Sequence, residues 1–196
     1  MILRKLFAAV VLMAGATAAQ AAPIFSDNFN ADVQGLNTTT FLGGWTVSNG
    51  TVDTIGTGFF ELLPGNGNYI DLDGSSYQAG TFSNSVVLTG GTTYVLSFQL
   101  AGNHRGYGPD VVDVTFGSST GSHTMYSGDP LTSFSLSFTP GVSGPASFSF
   151  HNHGGDNVGA ILDNVSIAAV PEPETYAMLL AGLAALGMAA RRRRNG

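Results

Sequence analysis

Between residues 22 and 170 the chain alternates apolar and polar side chains over many short runs. Tyr94, Leu96, Phe98 and Leu100 fall on one face of an extended segment, because successive side chains of a strand point to opposite faces. No stretch of this region keeps apolar residues at a sustained helical period. The same alternation recurs in Val112, Val114 and Phe116, in Phe134, Leu136 and Phe138, and in Phe148 and Phe150. The pattern predicts an all-β domain, a jelly-roll-type β-sandwich of about eight to eleven strands with buried aromatic residues.

Turn residues separate these runs and predict how neighbouring strands connect. Asn49-Gly50 lies between Trp45–Val47 and Thr51–Ile55. Because Asn-Gly supplies the positive φ angles of a two-residue turn, we expect these two runs to form a β-hairpin. Trp45 itself is as compatible with the core as with the surface.

Two further glycine-rich stretches predict loops. Pro64–Gly67 separates a predicted strand at Phe59–Leu62 from another at Tyr69–Leu72. Gly102–Asp110 is too polar and too rich in glycine for a core strand, and we expect it to project from the sandwich as a loop.

The N-terminus has the features of a secretory signal peptide. Arg4 and Lys5 precede the apolar run 6–14, and small residues follow as far as Ala19-Gln20-Ala21. The run is too short to span a bilayer. We expect signal peptidase to remove residues 1–21, or to cleave one residue later, so that the mature chain begins at Ala22 or Pro23.

The C-terminus combines three segments within residues 171–196. The motif Pro171, Glu172 and Pro173 precedes the uncharged run 175–190, which as a helix would measure about 24 Å against a hydrocarbon core of about 30 Å. Local thinning of the bilayer and extended arginine side chains close such a gap. We therefore predict a transmembrane helix at 175–190. The tail that follows it consists of Arg191, Arg192, Arg193 and Arg194.

The arginine tail sets the predicted orientation, because basic residues beside a span stay on the cytoplasmic side. Everything before Pro171 then lies outside the inner membrane. Motif, apolar run and basic tail in this order resemble the PEP-CTERM sorting signal of exopolysaccharide-producing Gram-negative bacteria. The resemblance implies recognition by an exosortase, a membrane-embedded processing enzyme, at residues 171–173. It also implies transient anchoring, followed by a place at the envelope surface or in the extracellular matrix. A plain tail anchor is the alternative.

Without the two signals the remaining domain is strongly acidic. Six of the seven basic residues lie in the signals, which leaves Arg105. Eleven of the thirteen acids remain, so residues 22–170 carry a net charge of −10. Nucleic acid is excluded as a partner, because phosphate binding requires clustered lysines and arginines. The chain has no cysteines, so a packed core or bound ions must stabilise it.

The domain also resembles the galactose-binding-like sandwiches found among carbohydrate-binding modules. The segments that carry this resemblance are Gly44–Val47, Val52-Asp53, Gly67–Ser75, Leu96–Asn103 and Leu162–Val165. The resemblance implies the sandwich fold and a sugar ligand, for which the cell's own exopolysaccharide is one candidate. It does not indicate where a ligand would bind.

Asp163 is the strongest candidate for a metal ligand. Period-2 alternation places Ile161, Asp163, Val165 and Ile167 on one face, so this carboxylate should be buried and partnered. Sandwiches of the resembled type hold a structural calcium where a last-strand Asp meets the N-terminal strand. This implies a Ca²⁺ site of Asp163 with Asp27, Asn28 or Asn30, the ligands that the N-terminal strand offers. The alternative is that Asp163 accepts hydrogen bonds from a neighbouring turn.

Other polar groups give weaker signals. Asp71-Leu-Asp73-Gly74-Ser75 begins like a calcium loop, but position twelve is Phe82 and a tight Asp-Gly turn fits better. His151 and His153 share one face of a strand end, which suits a transition metal or an exposed polar pair. Residues 117–121 match the G-x-S-x-G pattern, but no nucleophile elbow is predicted there, because the elbow joins a strand to a helix and no helical period follows. We therefore expect no enzymatic activity.

Exposed aromatic residues could stack on sugars. Of the large aromatics, Tyr107 and Tyr126 have the polar, glycine-rich surroundings typical of the surface. Two functions fit the sequence. The first is a non-enzymatic exported protein of the cell surface or matrix, and the second is a module that binds a specific polysaccharide.

Overall fold

The structure is a computed structural model that describes residues 21–171, 181–184, 187 and 191. Residues 1–20 of the predicted signal peptide, Glu172, Pro173 and most of the predicted transmembrane helix lie outside the described residues. Residues 181–184, 187 and 191 are helical. Within the described part, no helix has the length and apolarity needed to cross a membrane.

Residues 25–169 form twelve β-strands in two antiparallel sheets, which confirms the predicted all-β sandwich. The count exceeds the predicted eight to eleven, and one strand that the alternation does not reveal is β2, whose sequence Gly-Leu-Asn-Thr contains a single apolar side chain. The strands are β1 Phe25–Asp27, β2 Gly35–Thr38, β3 Thr46–Ser48, β4 Val52–Gly56, β5 Asn68–Asp71, β6 Thr81–Leu88, β7 Tyr94–Ala101, β8 Asp110–Phe116, β9 Ser119–Met125, β10 Thr132–Phe138, β11 Gly144–His153 and β12 Ile161–Ala169.

The seven-stranded sheet has the order β10-β7-β12-β5-β4-β2, and β1 also pairs with β12. The five-stranded sheet has the order β3-β6-β11-β8-β9. Their inner faces enclose the main core. As predicted, the alternating residues of β7 and the phenylalanines of β8 and β11 are buried there. Trp45 is also buried, and its ring stacks on Phe82 with centroids 4.2 Å apart.

The hairpin predicted at Asn49-Gly50 is wrong. β3 pairs with β6 in the five-stranded sheet, whereas β4 pairs with β2 and β5 in the other. Trp45 explains the difference, because its packing in the main core holds β3 against β6. The turn passes close to neighbouring backbone, and a Cβ on Gly50 would lie 2.4 Å from the carbonyl oxygen of Gln78. Because Gly50 has no side chain, the backbone can cross here from the five-stranded sheet to the seven-stranded sheet.

The strand predicted at Phe59–Leu62 is also absent from the structure. β4 pairs directly with β5, and residues 57–67 form the loop between them. Phe59, Leu62 and Leu63 of this loop pack against a second, smaller core. That core consists of Ile55, Tyr69, Ala101 and Ile161. Its residues alternate with those of the main core, so it lies on the other face of the seven-stranded sheet.

The strand directions give the sandwich two different ends. The four loops 72–80, 102–109, 126–131 and 154–160 lie at the end where β12 begins, and we call them the loop cluster. The chain leaves the sandwich at the opposite end, where Ala169 pairs with Tyr94. We call this the exit end. It consists of residues 22–24, 89–93, 117–118, 139–143 and 170–171.

Candidate functional site

Arg105 ties two loops of the loop cluster to the sheet below them. Its Nη2 donates to the carboxylate of Asp71 at the end of β5 in a salt bridge. Its Nη1 donates to the backbone carbonyl of Asn157, at 3.3 Å. The single basic side chain between residues 22 and 170 is therefore already engaged in holding loops 102–109 and 154–160 together.

Two buried carboxylates hold loop 154–160 through its backbone. Oδ1 of Asp71 accepts from the amides of Asp73, at 3.1 Å, and of Gly159, at 2.9 Å. Oδ2 of Asp73 accepts from the amides of Gly155, at 2.6 Å, and of Asp156, at 3.2 Å. The stretch that begins like a calcium loop therefore acts as an anchor for backbone N–H groups.

Ser127 and Asn103 join loop 126–131 to loop 102–109. Asn103 donates to Oδ2 of Asp110 at 2.9 Å and accepts from the hydroxyl of Ser127 at 2.6 Å. The backbone carbonyl of Ser127 accepts from the amide of His104 at 2.9 Å. Loop 102–109 is the projecting loop that the sequence predicts, and these bonds hold it against loop 126–131 at one end of the sandwich.

Burial changes the acidity of the carboxylates under the loops. Burial raises the pKa of Asp71 to about 7, although the Arg105 guanidinium opposes the shift. Burial also raises the pKa of Asp110 to about 6 against the opposing amides of Asn103 and Asn152. Near neutral pH both groups therefore titrate, and both hydrogen-bond other parts of the protein. Both carboxylates therefore help to hold the loops in place.

Three tyrosine side chains project from the loop cluster into solvent. Tyr77, Tyr107 and Tyr126 are 71%, 55% and 62% exposed. The surface position of Tyr107 and Tyr126 follows the sequence prediction, whereas Tyr77 was not predicted. The signal for Tyr77 was its position in the polar stretch after Gly74. An exposed tyrosine offers a flat apolar ring and a polar hydroxyl, a combination suited to sugar rings.

Hydrogen bonds hold the backbone in place at or next to each of these tyrosines. The amide of Tyr77 donates to Oδ1 of Asn157 at 2.5 Å, which links its loop to loop 154–160. The amide of Tyr126 donates to the carboxylate of Asp129 at 2.7 Å. Tyr107 follows Gly106, whose amide donates to the hydroxyl of Ser127 at 2.8 Å. The three rings are therefore carried by loops bonded to one another.

A β-bulge in β12 overturns the predicted common face of Ile161, Asp163, Val165 and Ile167. The pairing of β12 with β7 shifts between Asp163 and Ser166, and the intervening Asn164 has a φ of 50°. Before the bulge Leu162 faces the main core, and after it Val165 and Ile167 do. Ile161 lies instead in the second core. The extra residue reverses the alternation, which a sequence period cannot reveal.

Asp163 is nevertheless buried and partnered, as predicted. Its Oδ2 accepts from the amide nitrogen of Asn66 at 2.5 Å, and its Oδ1 from the backbone amide of Asn164 at 2.7 Å. Asn66 lies in the turn at residues 64–67. Burial raises the pKa of Asp163 to about 6, and the negative charge of Asp27 adds to the shift. Both carboxylate oxygens of Asp163 therefore accept hydrogen bonds, one of them from the turn that contains Asn66.

The other predicted calcium ligands lie nearby with partners of their own. Asp27 pairs with Val165 in register, and its Oδ2 accepts from the indole nitrogen of Trp45 at 2.9 Å. Oδ1 of Asn30 accepts from the amide of Asn68 at 2.7 Å. Among the described residues, no group of three or more His, Asp or Glu side chains is placed to hold a metal ion. A cleft of about 430 Å³ is lined by Ser26, Asp27, Asn28, Asn164, Val165 and Ser166.

The two histidines of β11 lie on the outer face of the five-stranded sheet. The ring centroids of His151 and His153 are 5.6 Å apart. Nε2 of His153 lies 2.6 Å from the Asp113 carboxylate, and this contact lowers the pKa of Asp113. His151 contacts the carbonyl oxygen of Gly80 at 3.4 Å. His153 and Asp113 thus form a polar pair at the surface.

Comparison with known families identifies the C-terminus. Residues 169–194 match the PEP-CTERM protein-sorting motif. The chain carries a PEP-CTERM sorting signal. The match covers the predicted motif, the apolar run and the four arginines, so the PEP-CTERM resemblance is confirmed. No curated protein matches the chain.

Solved structures resemble the sandwich that precedes the PEP-CTERM signal. One is the xylan-binding CBM22-1 domain of Xyn10C from Paenibacillus barcinonensis, with a TM-score of 0.51 and 14% identity over 78% of this chain and 97% of that chain. Another holds the CBM22-1 and GH10 modules of xylanase 10B from Clostridium thermocellum, complexed with xylohexaose. Its TM-score is 0.50, with 15% identity over 76% of this chain and 29% of that chain. At these identities the likeness establishes the fold alone, and it confirms the predicted resemblance to carbohydrate-binding sandwiches.

Proposed function

We propose that this chain is an exported, non-enzymatic protein that an exosortase processes at Pro171-Glu172-Pro173, and that its loop cluster binds a polysaccharide at the envelope surface or in the extracellular matrix. The PEP-CTERM match supports the sorting part. The observation that carries the binding part is the set of exposed rings of Tyr77, Tyr107 and Tyr126 on bonded loops.

The construction of the loop cluster favours binding. Loops held by buried hydrogen bonds lose little freedom when a ligand arrives, and such preorganisation raises affinity. Arg105 is engaged with Asp71, and the domain carries ten net negative charges. A neutral sugar polymer therefore fits this surface better than an acidic one. The solved neighbours include a domain named as xylan-binding, which agrees with a glycan ligand.

The same contacts argue against catalysis in the loop cluster. Glycoside hydrolysis requires two carboxyl groups flanking an accessible bond. Asp71 and Asp73 are buried and bound to backbone amides. A binding role needs no such pair, and it leaves these carboxylates as supports for the loops.

Glycan binding by the full chain tests this proposal. Replacing Tyr77, Tyr107 or Tyr126 by Ala should each weaken binding to a neutral polysaccharide about 5- to 50-fold, as expected for interface hot spots. Val142→Ala is the control, because Val142 is also an exposed apolar side chain but lies at the exit end. Unchanged binding by the triple tyrosine variant would exclude the loop cluster as the site.

The sorting part has its own test in a host that carries an exosortase. Glu172→Ala should leave export and membrane insertion intact while the unprocessed chain accumulates in the inner membrane. Glu174→Ala is the matched control, one residue beyond the motif. Replacing the four arginines should instead release the chain unanchored, because a charge at the bilayer centre costs at least about 2.5 kcal/mol. Normal processing of Glu172→Ala would identify the tail as an ordinary anchor.

The signal peptide is tested by the mass of the mature protein. Cleavage by signal peptidase should give an N-terminus at Ala22 or Pro23, because Ala19-Gln20-Ala21 is the well-placed site of small residues. Envelope material that retains an intact Met1 would contradict this prediction.

Calcium binding by Asp163, Asp27 and Asn30 stays a prediction. An ion that binds only the folded state adds about 2.7 kcal/mol when it is present at 100 times its Kd. Thermal melting with Ca²⁺ and with a chelator should then differ for the wild type and coincide for Asp163→Asn. Coincident curves for the wild type would mean that Asn66 and Asn164 alone satisfy Asp163.

A further inference from the structure

The exit end carries no charged side chain. Residues 22–24, 89–93, 117–118, 139–143 and 170–171 contain no Asp, Glu, Lys, Arg or His. The eleven acids and the single arginine of residues 22–170 all lie elsewhere in the sandwich. A domain with a net charge of −10 therefore has one neutral end, and the chain leaves the fold there.

Apolar side chains stand exposed at this end. Val142 is 81% exposed, Ile24 is 50% exposed and Val170 is 42% exposed. The loops that carry them are bonded to each other: the amide of Gly91 donates to the carbonyl of Pro140 at 2.8 Å, and the amide of Gly90 to the hydroxyl of Ser143 at 2.9 Å. These hydrogen bonds hold the loops of the exit end in one conformation relative to each other.

The sorting motif begins where the fold ends. The amide of Val170 donates to the carbonyl of Thr93 at 2.8 Å, and the next residue, Pro171, has no N–H to continue the ladder. Only residues 171–174 separate this last bond from the predicted span at 175–190. Four residues reach at most about 14 Å, at about 3.5 Å per residue. The exit end must therefore lie close to the bilayer while the chain is anchored.

We propose that the exit end rests on the lipid headgroups of the leaflet from which the C-terminal segment emerges. This rests on the proposed sorting function, which supplies the span. Charges interact over about 8 to 10 Å at physiological salt, so an acidic surface at this distance would be repelled by anionic lipid. Glu172 and Glu174 of the connecting segment are the acids nearest the bilayer. The folded exit end adds no further negative charge to them, and its exposed valine and isoleucine side chains meet no such repulsion. β12 rises about 30 Å from the exit end, at about 3.3 Å per residue, which directs the loop cluster away from the membrane.

The chain has no cysteines, so single labels can test this contact. Gly141→Cys at the exit end and Gly128→Cys in the loop cluster are a matched pair. Both glycines are exposed, and an added Cβ would have no atom within 4 Å at either position. The full chain carrying a polarity-sensitive fluorophore is placed in phosphatidylethanolamine and phosphatidylglycerol vesicles that contain a lipid-attached quencher.

We expect the Gly141→Cys label to be quenched several-fold more strongly than the Gly128→Cys label. Adding Val142→Glu to the Gly141→Cys chain should reduce that quenching, because an acid is then brought to the anionic surface. Equal quenching of the two labels would overturn the proposal. So would quenching at Gly141→Cys that arises only after an exosortase is added, because the occupant would then be the enzyme.

Flotation of the vesicles separates this proposal from the sorting function. A chain that floats with the vesicles while its Gly141→Cys label stays unquenched is anchored without docking, which overturns the lipid contact alone. A chain that does not float lacks the span, which overturns the anchor and the docking with it.

Discussion

The two ends of this sandwich are connected by the same strands and are stabilised in different ways. In the loop cluster, Arg105, Asp71 and Asp73 hold long loops through buried charges and amide hydrogen bonds. At the exit end, short loops are joined by backbone and hydroxyl groups without any charge. Long loops bury little apolar surface, so polar bonds must order them. Short loops are ordered by the strands they connect.

The difference also separates the two proposed contacts. The loop cluster presents tyrosine rings over a buried polar network, which suits a hydrated ligand approached from solution. The exit end presents aliphatic side chains beside the sorting motif, which suits a surface. A mutation in the polar network should therefore affect stability and binding, and a mutation at the exit end should affect neither.

Arg105→Met should cause the largest loss of stability. Removing the guanidinium leaves the buried Asp71 carboxylate without its counter-charge. Because Arg105 is 26% exposed, we expect a cost of about 2 to 3 kcal/mol, at the lower end of the values for buried pairs. Partial protonation of Asp71, whose burial raises its pKa to about 7, should make the loss smaller at low pH. Urea denaturation measures the change. The double variant Asp71→Asn with Arg105→Met should recover part of it, and a loss below about 0.5 kcal/mol would show that the pair does not hold the loops.

Gly159→Ala should cost about 2 kcal/mol through overpacking. A Cβ there would lie 2.4 Å from the amide nitrogen of Asp73 and 2.7 Å from Oδ1 of Asp71, so loop 154–160 would have to move. Gly128→Ala is the control in the same loop cluster, because an added Cβ meets nothing within 4 Å. Equal melting temperatures for the two variants would mean that the loop is free to shift.

Asn164→Ala tests the bulge that divides the two halves of β12. Asn164 has a φ of 50°, where a residue other than Gly or Asn costs about 1 to 2 kcal/mol. Asn164→Gly should lose less stability, because glycine tolerates this conformation. Equal losses would instead assign the effect to the hydrogen bond from Asn164 to Gln99, at 2.7 Å.

Stability should rise as the pH falls from 8 to 5. The folded pKa values of Asp71, Asp110 and Asp163 lie above the usual 3.8, so their contribution is complete below about pH 3.8 and is lost as the pH rises through about 6 to 7. Burial lowers the pKa of His123, which acts in the opposite direction below pH 6.5. The difference between the melting profiles of wild type and Asp71→Asn isolates the contribution of Asp71, on the order of 1 kcal/mol. Parallel pH profiles for the two proteins would mean that Asp71 does not contribute to the pH dependence of stability.

Val142→Glu should change the stability by no more than about 0.5 kcal/mol, because surface substitutions away from special contacts are nearly neutral. Val142 is 81% exposed, and its side chain has little packing to lose. Glycan binding should also be unchanged. A marked loss of stability or of glycan affinity would mean that the two ends are coupled through the sandwich.

Local sequence patterns were sufficient to predict the fold class and the sorting motif. Alternation along β7, β8, β10 and β11 requires only that one face be apolar, and it correctly predicted buried residues such as Leu96 and Phe148. The sorting motif is a contiguous stretch, so no fold is needed to read it. The polar, glycine-rich surroundings of Tyr107 and Tyr126 likewise predicted their exposure.

Strand pairing and the contacts between distant polar groups could not be predicted from local patterns. Asn49-Gly50 looked like a hairpin, but the burial of Trp45 against Phe82 assigns the flanking strands to different sheets. The bulge at Asn164 reversed a face that period 2 had predicted. Asp71 and Arg105 are 34 residues apart and meet because β5 and loop 102–109 lie at one end of the sandwich. The local alternation of apolar and polar residues determines which side chains favour burial. Contacts between distant segments depend instead on how all the strands pack together.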